Sequence, residues 1–164
     1  MRKQKGFSLI ELLIVVAIIL IIAAIAIPNL LRARIAANES SAVGSVRTVN
    51  TAEVAYNSAY PTVGFSSSLT NLAGSCTSTT VPTSTSACLI DSVLAGGQKS
   101  GYSFGADAGG GSGTPLGAYS VDAQPITANQ TGVRYFCSAA DGVVRYGTAT
   151  FSGASCASSG TPLQ

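Results

Sequence analysis

The sequence has 164 residues, of which only 10% are charged, and its formal net charge is +2. A chain of this length holds one modest domain plus an N-terminal element. It contains no histidine, the commonest general base and metal ligand, and it lacks the strong basic charge of a nucleic-acid-binding surface. The composition therefore predicts no cofactor, no metal site and no nucleic-acid partner.

The N-terminus combines a basic start with a long apolar segment. Arg2, Lys3 and Lys5 precede residues 12–31, an uncharged stretch of 20 residues rich in Leu, Ile, Val and Ala. As a helix it would measure about 30 Å, the thickness of a bilayer core. It is too long for the apolar core of a secretory signal peptide, and no Ala-x-Ala site follows it. We predict a membrane helix with its N-terminus in the cytoplasm, a pattern that a plain signal anchor shares.

Helical character continues beyond the apolar segment. Pro28 would interrupt the backbone hydrogen bonds and kink the helix, which membrane helices tolerate. Beyond it, apolar residues recur at spacings of seven, four and three, typical of one helix face: Ile35, Ala42, Val46, Val49 and Tyr56. The charged residues between them are assigned to the remainder of the helix: Arg34, Glu39, Arg47 and Glu53.

Pro61 is expected to end this helix, because the residue before a proline avoids helical angles. We therefore predict one helix from Ser8 to about Ser58, about 75 Å long at the usual rise per residue. Its first half is apolar on all sides, and its second half is amphipathic. The first half must therefore pack against lipid or against the same helix of other subunits.

The rest of the chain predicts a small antiparallel sheet. Residues 62–82 are rich in Ser and Thr and predict an irregular connector, and CLIDSVLAGG predicts one or two helical turns. GYSFGAD and AYSVDAQ predict strands on either side of a flexible loop. VRYFCSAADGVVRYG predicts a hairpin whose tight turn is Asp141-Gly142. The tail after residue 147 is small and polar.

These elements predict an α+β fold. An antiparallel meander of about four strands would pack on the amphipathic half of the long helix. The expected division is a leader at residues 1–6, a membrane helix at 7–31, an amphipathic half at 32–60 and a globular head at 61–164.

Four cysteines lie in the predicted head: Cys76, Cys88, Cys137 and Cys156. They include no C-x-x-C pair, so a zinc site is not expected. Four cysteines in a small exported domain indicate two disulfides, with three connectivities available. Bonds Cys76–Cys88 and Cys137–Cys156 are favoured because each closes a short loop, and unpaired buried thiols are the alternative.

The stretch KGFSLIEL at residues 5–12 is the most specific motif in the chain. With its basic leader and aliphatic continuation to Pro28, it resembles the prepilin N-terminus of the type IV pilin and type II secretion pseudopilin family. The resemblance implies a prepilin peptidase that cuts between Gly6 and Phe7 on the cytoplasmic side and then methylates the Phe7 amine. Gly6 has no side chain, so it fits an extended chain in a tight active site.

Glu11 is a lone carboxylate near the start of the apolar segment. Within a membrane helix a charge costs about 2.5–3.5 kcal/mol at the centre and less near the interface, and such residues are usually functional. The resemblance implies that Glu11 of one subunit pairs with the Phe7 ammonium of a neighbour and thereby sets the register of a growing filament. A snorkelling interfacial charge without a role is the alternative.

The leading interpretation is a structural subunit of a type IV pilus rather than an enzyme. It would enter the bacterial inner membrane as a precursor, contact lipid and the pilus or secretion assembly machinery, and form a homo-oligomeric helical filament at the cell surface. The alternative within the family is a pseudopilin that builds a periplasmic pseudopilus. A membrane-anchored enzyme or binding domain is a more distant alternative, disfavoured because no catalytic constellation is visible.

The chain departs from many relatives at Leu20, where they often have glycine in the apolar segment. In relatives the helix can unwind between this position and the proline that corresponds to Pro28. Leu20 therefore leaves the extent of unwinding in this chain open.

Overall fold

The computed structural model describes residues 7–74, 76, 81–107, 113–151 and 155–163. The predicted leader, with Gly6, lies outside the described residues, as does part of the loop predicted between GYSFGAD and AYSVDAQ. The chain divides into two compact units, Met1–Arg34 and Ile35–Gln164.

Helix α1 spans Leu9–Ala59 and includes Pro28. Its bounds lie within one residue of the predicted ones. The acidic Glu11 occupies its first turn, where a negative charge is favoured by the helix dipole. The helix ends two residues before Pro61, in accord with the restriction that proline imposes on the residue before it.

In the unit formed by Ile35–Gln164, six strands form one sheet in sequence order, and every neighbouring pair is antiparallel. The strands are β1 Gln98–Lys99, β2 Tyr102–Asp107, β3 Ser120–Pro125, β4 Tyr135–Ala139, β5 Arg145–Gly147 and β6 Thr161–Pro162. Three short helices complete the unit: α2 Leu69–Leu72, α3 Ser92–Ala95 and α4 Ser155–Ser159. The meander is confirmed, and strands β2 to β5 are the four that the sequence predicts.

The additional elements are short and lie where the sequence predicts irregular structure. Helix α2 interrupts the Ser/Thr-rich connector, with Ser68 as its N-cap. The C-terminal tail, described from the sequence only as small and polar, contains α4 and β6. Such two- to five-residue elements depend on pairing with the rest of the unit, and local sequence patterns carry little information about them.

The core lies between one face of α1 and one face of the sheet. The α1 positions Ala42, Val46, Val49 and Tyr56 are 1% exposed or less. They belong to one cluster with buried residues of the strands and short helices, among them Leu72, Leu94, Tyr102, Val121 and Phe136. The predicted packing of the amphipathic half of the helix on the sheet is confirmed.

Two charged residues contradict the predicted division of α1 into faces. Glu39 is 6% exposed and Glu53 is 0% exposed, although both were assigned away from the apolar face. They precede Ala42 and Tyr56 by three residues, so they lie on the same side of the helix as those apolar residues. The interior therefore contains two carboxyl groups on one helix face.

The head contains two disulfides, Cys76–Cys88 and Cys137–Cys156. The first joins the connector after α2 to the segment before α3. The second joins β4 to α4, and both of its cysteines are 1% exposed. This pairing is the one favoured by short loop closure, and it fastens the polar tail to the sheet.

Candidate functional site

The N-terminal segment presents apolar side chains on every side of α1. Phe7 is 72% exposed, and the large aliphatic residues from Leu9 to Leu31 are all more than 40% exposed. An 18-residue window of this helix has a mean hydropathy of 3.3, and none of it is buried. By length and composition the helix can cross a membrane. In water, each of these side chains would forgo about 1.5–3 kcal/mol of burial energy, so the segment is built for lipid or for protein partners.

Glu11 is the sole charged residue between Phe7 and Arg32. It is exposed, and none of the ion pairs found within the described residues involves it. The amide of Leu12 donates to the carbonyl of Ser8 at 3.2 Å, so the backbone around Glu11 is already helical. The carboxylate is thus held on a helical turn four residues after Phe7 and is available to a group from outside the chain.

The helix is continuous through Leu20 and Pro28. The bend predicted at Pro28 and the unwinding discussed for the segment before it remain predictions. The predicted cleavage position, Gly6, lies outside the described residues, whereas Phe7, the residue that would carry the new amino terminus, lies just before the first turn.

Glu39 is the first of two buried carboxyl groups in the second half of α1. Its Oε1 accepts the backbone N–H groups of Val133 and Arg134, at 3.0 and 3.1 Å, and its Oε2 accepts Nε of Arg134 at 2.7 Å. Burial alone would raise its pKa, but these backbone hydrogen bonds and the Arg134 guanidinium outweigh burial and hold the pKa of Glu39 below its usual value. Glu39 therefore ties α1 to the start of β4 as a charged carboxylate.

Glu53 is the second buried carboxyl group, and its surroundings differ. Its Oε2 accepts the backbone N–H of Ser66 at 2.8 Å, and its Oε1 is buried without a hydrogen-bond partner. Burial raises the pKa of Glu53 to about 7, and the Ser66 hydrogen bond only partly opposes that rise. This carboxyl group changes its charge near neutral pH.

A neutral polar cluster lies between α1 and the sheet, one turn before Glu53. Asn50 donates to Ser138 Oγ at 2.9 Å and to the carbonyl of Gly142 at 3.3 Å. The Tyr119 hydroxyl donates to Asn50 Oδ1 at 3.3 Å. These contacts fasten the β4–β5 turn to the helix, so the cluster is structural.

The described residues contain no group of three or more His, Cys, Asp and Glu side chains close enough to hold a metal ion. Glu39 and Glu53 accept hydrogen bonds from backbone amides or from arginine, and Glu11 lies on an exposed apolar surface. Of the residues predicted to act, the structure places Phe7 just before α1, Glu11 in the first turn of α1 and the four cysteines in the head. The sequence did not predict that Glu39 and Glu53 are buried. Each precedes a buried apolar residue of α1 by three positions, and this spacing was the available indication.

Comparison with known proteins supports the motif and the class of protein. Residues 1–27 match the family model described as "Prokaryotic N-terminal methylation motif". The chain is 68% identical over 40 residues to the type IV wide pilus major component PilA4 of Thermus thermophilus, covering 24% of this chain and 30% of that protein. It is 44% identical over 54 residues to the type IV major pilin protein PilA of Myxococcus xanthus, covering 33% of this chain and 24% of that protein.

A third relative belongs to a different machine. The type II secretion system core protein G of Vibrio cholerae is 42% identical over 65 residues, covering 38% of this chain and 44% of that protein. The three matches thus cover less than half of each relative's length. No solved structure matches the chain. The N-terminus carries a prokaryotic methylation motif, and the chain resembles pilins and a pseudopilin in that region.

Proposed function

We propose that this protein is the structural subunit of a type IV pilus, polymerised through its N-terminal helix. The observation that carries the proposal is the fully exposed apolar segment of α1, interrupted only by Glu11 and preceded by the methylation motif. The segment would first lie in the bacterial inner membrane. In the filament it would pack against the same segment of other subunits, with the head of residues 61–164 facing outward.

Processing is the first step of the proposed mechanism. A prepilin peptidase would hydrolyse the peptide bond between Gly6 and Phe7 on the cytoplasmic side and transfer a methyl group to the new Phe7 amine. Hydrolysis releases the basic leader of residues 1–6 and creates an ammonium at Phe7, and methylation preserves its charge. The matched motif supports this step.

Registration is the second step. In an apolar filament core, aliphatic side chains attract one another at many axial offsets, whereas an ion pair forms at one. Glu11 of an incoming subunit would meet the Phe7 ammonium of a neighbour. If either partner is removed, the other is left as an uncompensated buried charge, at a cost of about 3–5 kcal/mol. Cleavage would thereby permit assembly, because the ammonium does not exist before it.

The test compares Glu11→Ala with Leu12→Met, a volume-conserving apolar change at the next position. We expect the Glu11→Ala chain to be cleaved and methylated normally but to yield no surface filaments by electron microscopy. The Leu12→Met chain should be cleaved and should assemble. Normal filaments from Glu11→Ala cells would exclude the register role of Glu11.

The second candidate function is that of a type II secretion pseudopilin, which would form a periplasmic pseudopilus. The similarity to the Vibrio cholerae core protein favours it. Cells lacking the gene distinguish the two: a pilin predicts the loss of surface filaments with normal secretion, and a pseudopilin predicts the accumulation of exported enzymes in the periplasm. A membrane-anchored enzyme or binding domain would predict neither phenotype.

A further inference from the structure

The segment that follows α1 contacts the helix through a buried carboxyl group, in addition to the Tyr60 amide, which donates to the Tyr56 carbonyl at 2.9 Å. Residues 60–68, which we call the connector arm, leave the end of α1 and lead into α2. The Ser66 amide donates to Glu53 Oε2 at 2.8 Å, and both residues are 1% exposed or less. On the other side the arm is joined to Leu116: the Phe65 amide donates to the Leu116 carbonyl, and the Leu116 amide donates to the Val63 carbonyl.

Glu53 lacks the partners that would stabilise a buried negative charge. Its Oε1 has no hydrogen-bond partner in the structure, and no ion pair in the described part of the chain includes it. Two other titratable groups face it: Tyr56 from α1 itself and Tyr119 from the segment before β3. Both hydroxyls direct their protons elsewhere, Tyr56 to the Ser84 carbonyl at 2.6 Å and Tyr119 to Asn50 at 3.3 Å.

The charges beyond these tyrosines do not compensate a carboxylate at this position. The other charged group that acts on Tyr119 is Asp141, and its carboxylate is already paired with Arg145 at 2.6 Å. Within the described residues, an ionised Glu53 would have the Ser66 N–H as its hydrogen-bond donor and would otherwise be buried away from water. A buried carboxylate in such a site becomes favourable only when water reaches it.

We propose that Glu53 is a proton-operated latch on the connector arm. As a neutral acid it remains buried and accepts the Ser66 amide, which keeps the arm closed on α1. When it ionises, its proton passes to bulk solvent, and the arm opens locally to let water solvate the carboxylate. The arm also carries Ser68, the N-cap of α2, so opening at Ser66 loosens the start of that helix.

The contrast with Glu39 supports this assignment. Glu39 lies on the same helix face two heptads earlier, but it has two backbone donors and an arginine. These donors favour the ionised carboxylate of Glu39, whereas Glu53 is favoured as the protonated, neutral acid. The raised pKa of Glu53 places its change of charge near pH 7, within the range that an exported protein meets.

The test is amide hydrogen exchange on the full chain in detergent micelles at pH 5.5 and pH 8.5, corrected for the intrinsic dependence on pH. We expect the protection of residues 63–68 to fall at least tenfold at the higher pH, while β3 keeps its protection. Glu53→Gln retains an oxygen for the Ser66 amide but cannot ionise, so its protection should be the same at both pH values. Equal protection of the arm at both pH values in the unmodified chain would overturn the proposal.

A second measurement needs no variant. In the chain labelled with ¹³C at glutamate carboxyl groups, the Glu53 resonance should titrate with a midpoint near 7, and Glu39 should remain ionised from pH 5.5 to 8.5. A Glu53 midpoint near the ordinary value of about 4.3 would overturn the latch even if Glu53→Gln fails to fold. Neither measurement depends on filament formation, so the latch and the proposed function fail separately.

Discussion

Glu39 and Glu53 are identical side chains on one helix face, and both are buried. The first is favoured as a charged carboxylate and the second as a neutral acid. Glu39 meets four donor groups of Val133 and Arg134, and its charge is compensated. Glu53 meets one amide and is more stable as a neutral acid. The difference arises from what the sheet and the connector arm bring to each position, since both positions belong to the same helix.

Replacement of Glu39 by alanine should destabilise the unit Ile35–Gln164 by about 2–3 kcal/mol. The change leaves the Val133 and Arg134 amides without an acceptor, while the half-exposed Arg134 side chain regains water. The measurement is guanidinium unfolding of the full chain in detergent at pH 7. Lys99→Ala, which breaks the solvent-exposed pair with Asp91, serves as the control and should cost less than about 1 kcal/mol.

The free energy of unfolding that Glu39 contributes should depend on pH, with a defined sign. Because the folded-state pKa of Glu39 is lowered, its stabilisation is present above the unfolded-state pKa of about 4.3 and is lost as the pH falls through the lower, folded-state value. The difference between Glu39→Ala and the unmodified chain should therefore shrink in acid. A difference that grows below pH 4 would contradict the assignment of Glu39 as a stabilising carboxylate.

Among the elements, the antiparallel sheet depends on a close contact before β4. Gly132 lies against the ring of Tyr102, which is 0% exposed and donates to the Arg134 carbonyl at 2.8 Å. A Cβ at position 132 would overlap the Tyr102 hydroxyl and ring. The approach of the loop to β2 thus requires a residue without a side chain.

Gly132→Ala should cost about 2–3 kcal/mol through displacement of the buried Tyr102 ring. Gly44→Ala is the matched control: Gly44 lies within α1, and a Cβ there would meet nothing within 4 Å. Alanine at position 44 should stabilise the helix by about 1 kcal/mol. Both values come from denaturant unfolding of the full chain, and equal effects of the two changes would refute the packing argument.

At the scale of the whole molecule, the two units have different requirements. Residues 7–34 of the first unit are largely exposed, whereas Ile35–Gln164 has its own core and two disulfides. We propose lipid before assembly and other subunits after it as the surroundings of the exposed N-terminal segment. Under the proposed function, the leader controls the transfer from one environment to the other.

Gly6→Leu should block this transfer in cells. The bulky side chain would hinder cleavage, so the chain should remain in the membrane fraction with residues 1–6 attached and should form no filaments. Mass spectrometry of the N-terminal peptide measures the outcome, and Ser8→Ala, just beyond the cleavage position, is the control that should be processed. Recovery of a mature chain that begins at Phe7 from the Gly6→Leu strain would refute the processing proposal.

Much of this architecture was predictable because it is encoded locally. A continuous apolar run, a helix-period pattern and Pro61 set the extent of α1, and the Asp141-Gly142 pair marked the β4–β5 hairpin, where Gly142 has a φ of 71°. The order of the strands followed from short connections. The motif KGFSLIEL pointed to Phe7 and Glu11 as the candidate site because its residues are contiguous in sequence and resemble the prepilin N-terminus.

What could not be predicted depends on partners distant in sequence. Glu39 and Glu53 were assigned to the remainder of α1, away from its apolar face, yet the buried state of Glu39 follows from Val133 and Arg134, 94 and 95 residues away. The strands β1 and β6, each of two residues, exist because longer neighbouring strands offer them hydrogen bonds.

The sequence by itself determined the long helix, the meander and the motif that points to membrane insertion and assembly, since each rests on periodicity or on adjacent residues. The tertiary structure alone decided which carboxyl groups are buried and in which charge state. The charge state depends on the hydrogen-bond donors that surround a carboxyl group in space. Glu53 has one such donor, the Ser66 amide, so its neutral form is favoured.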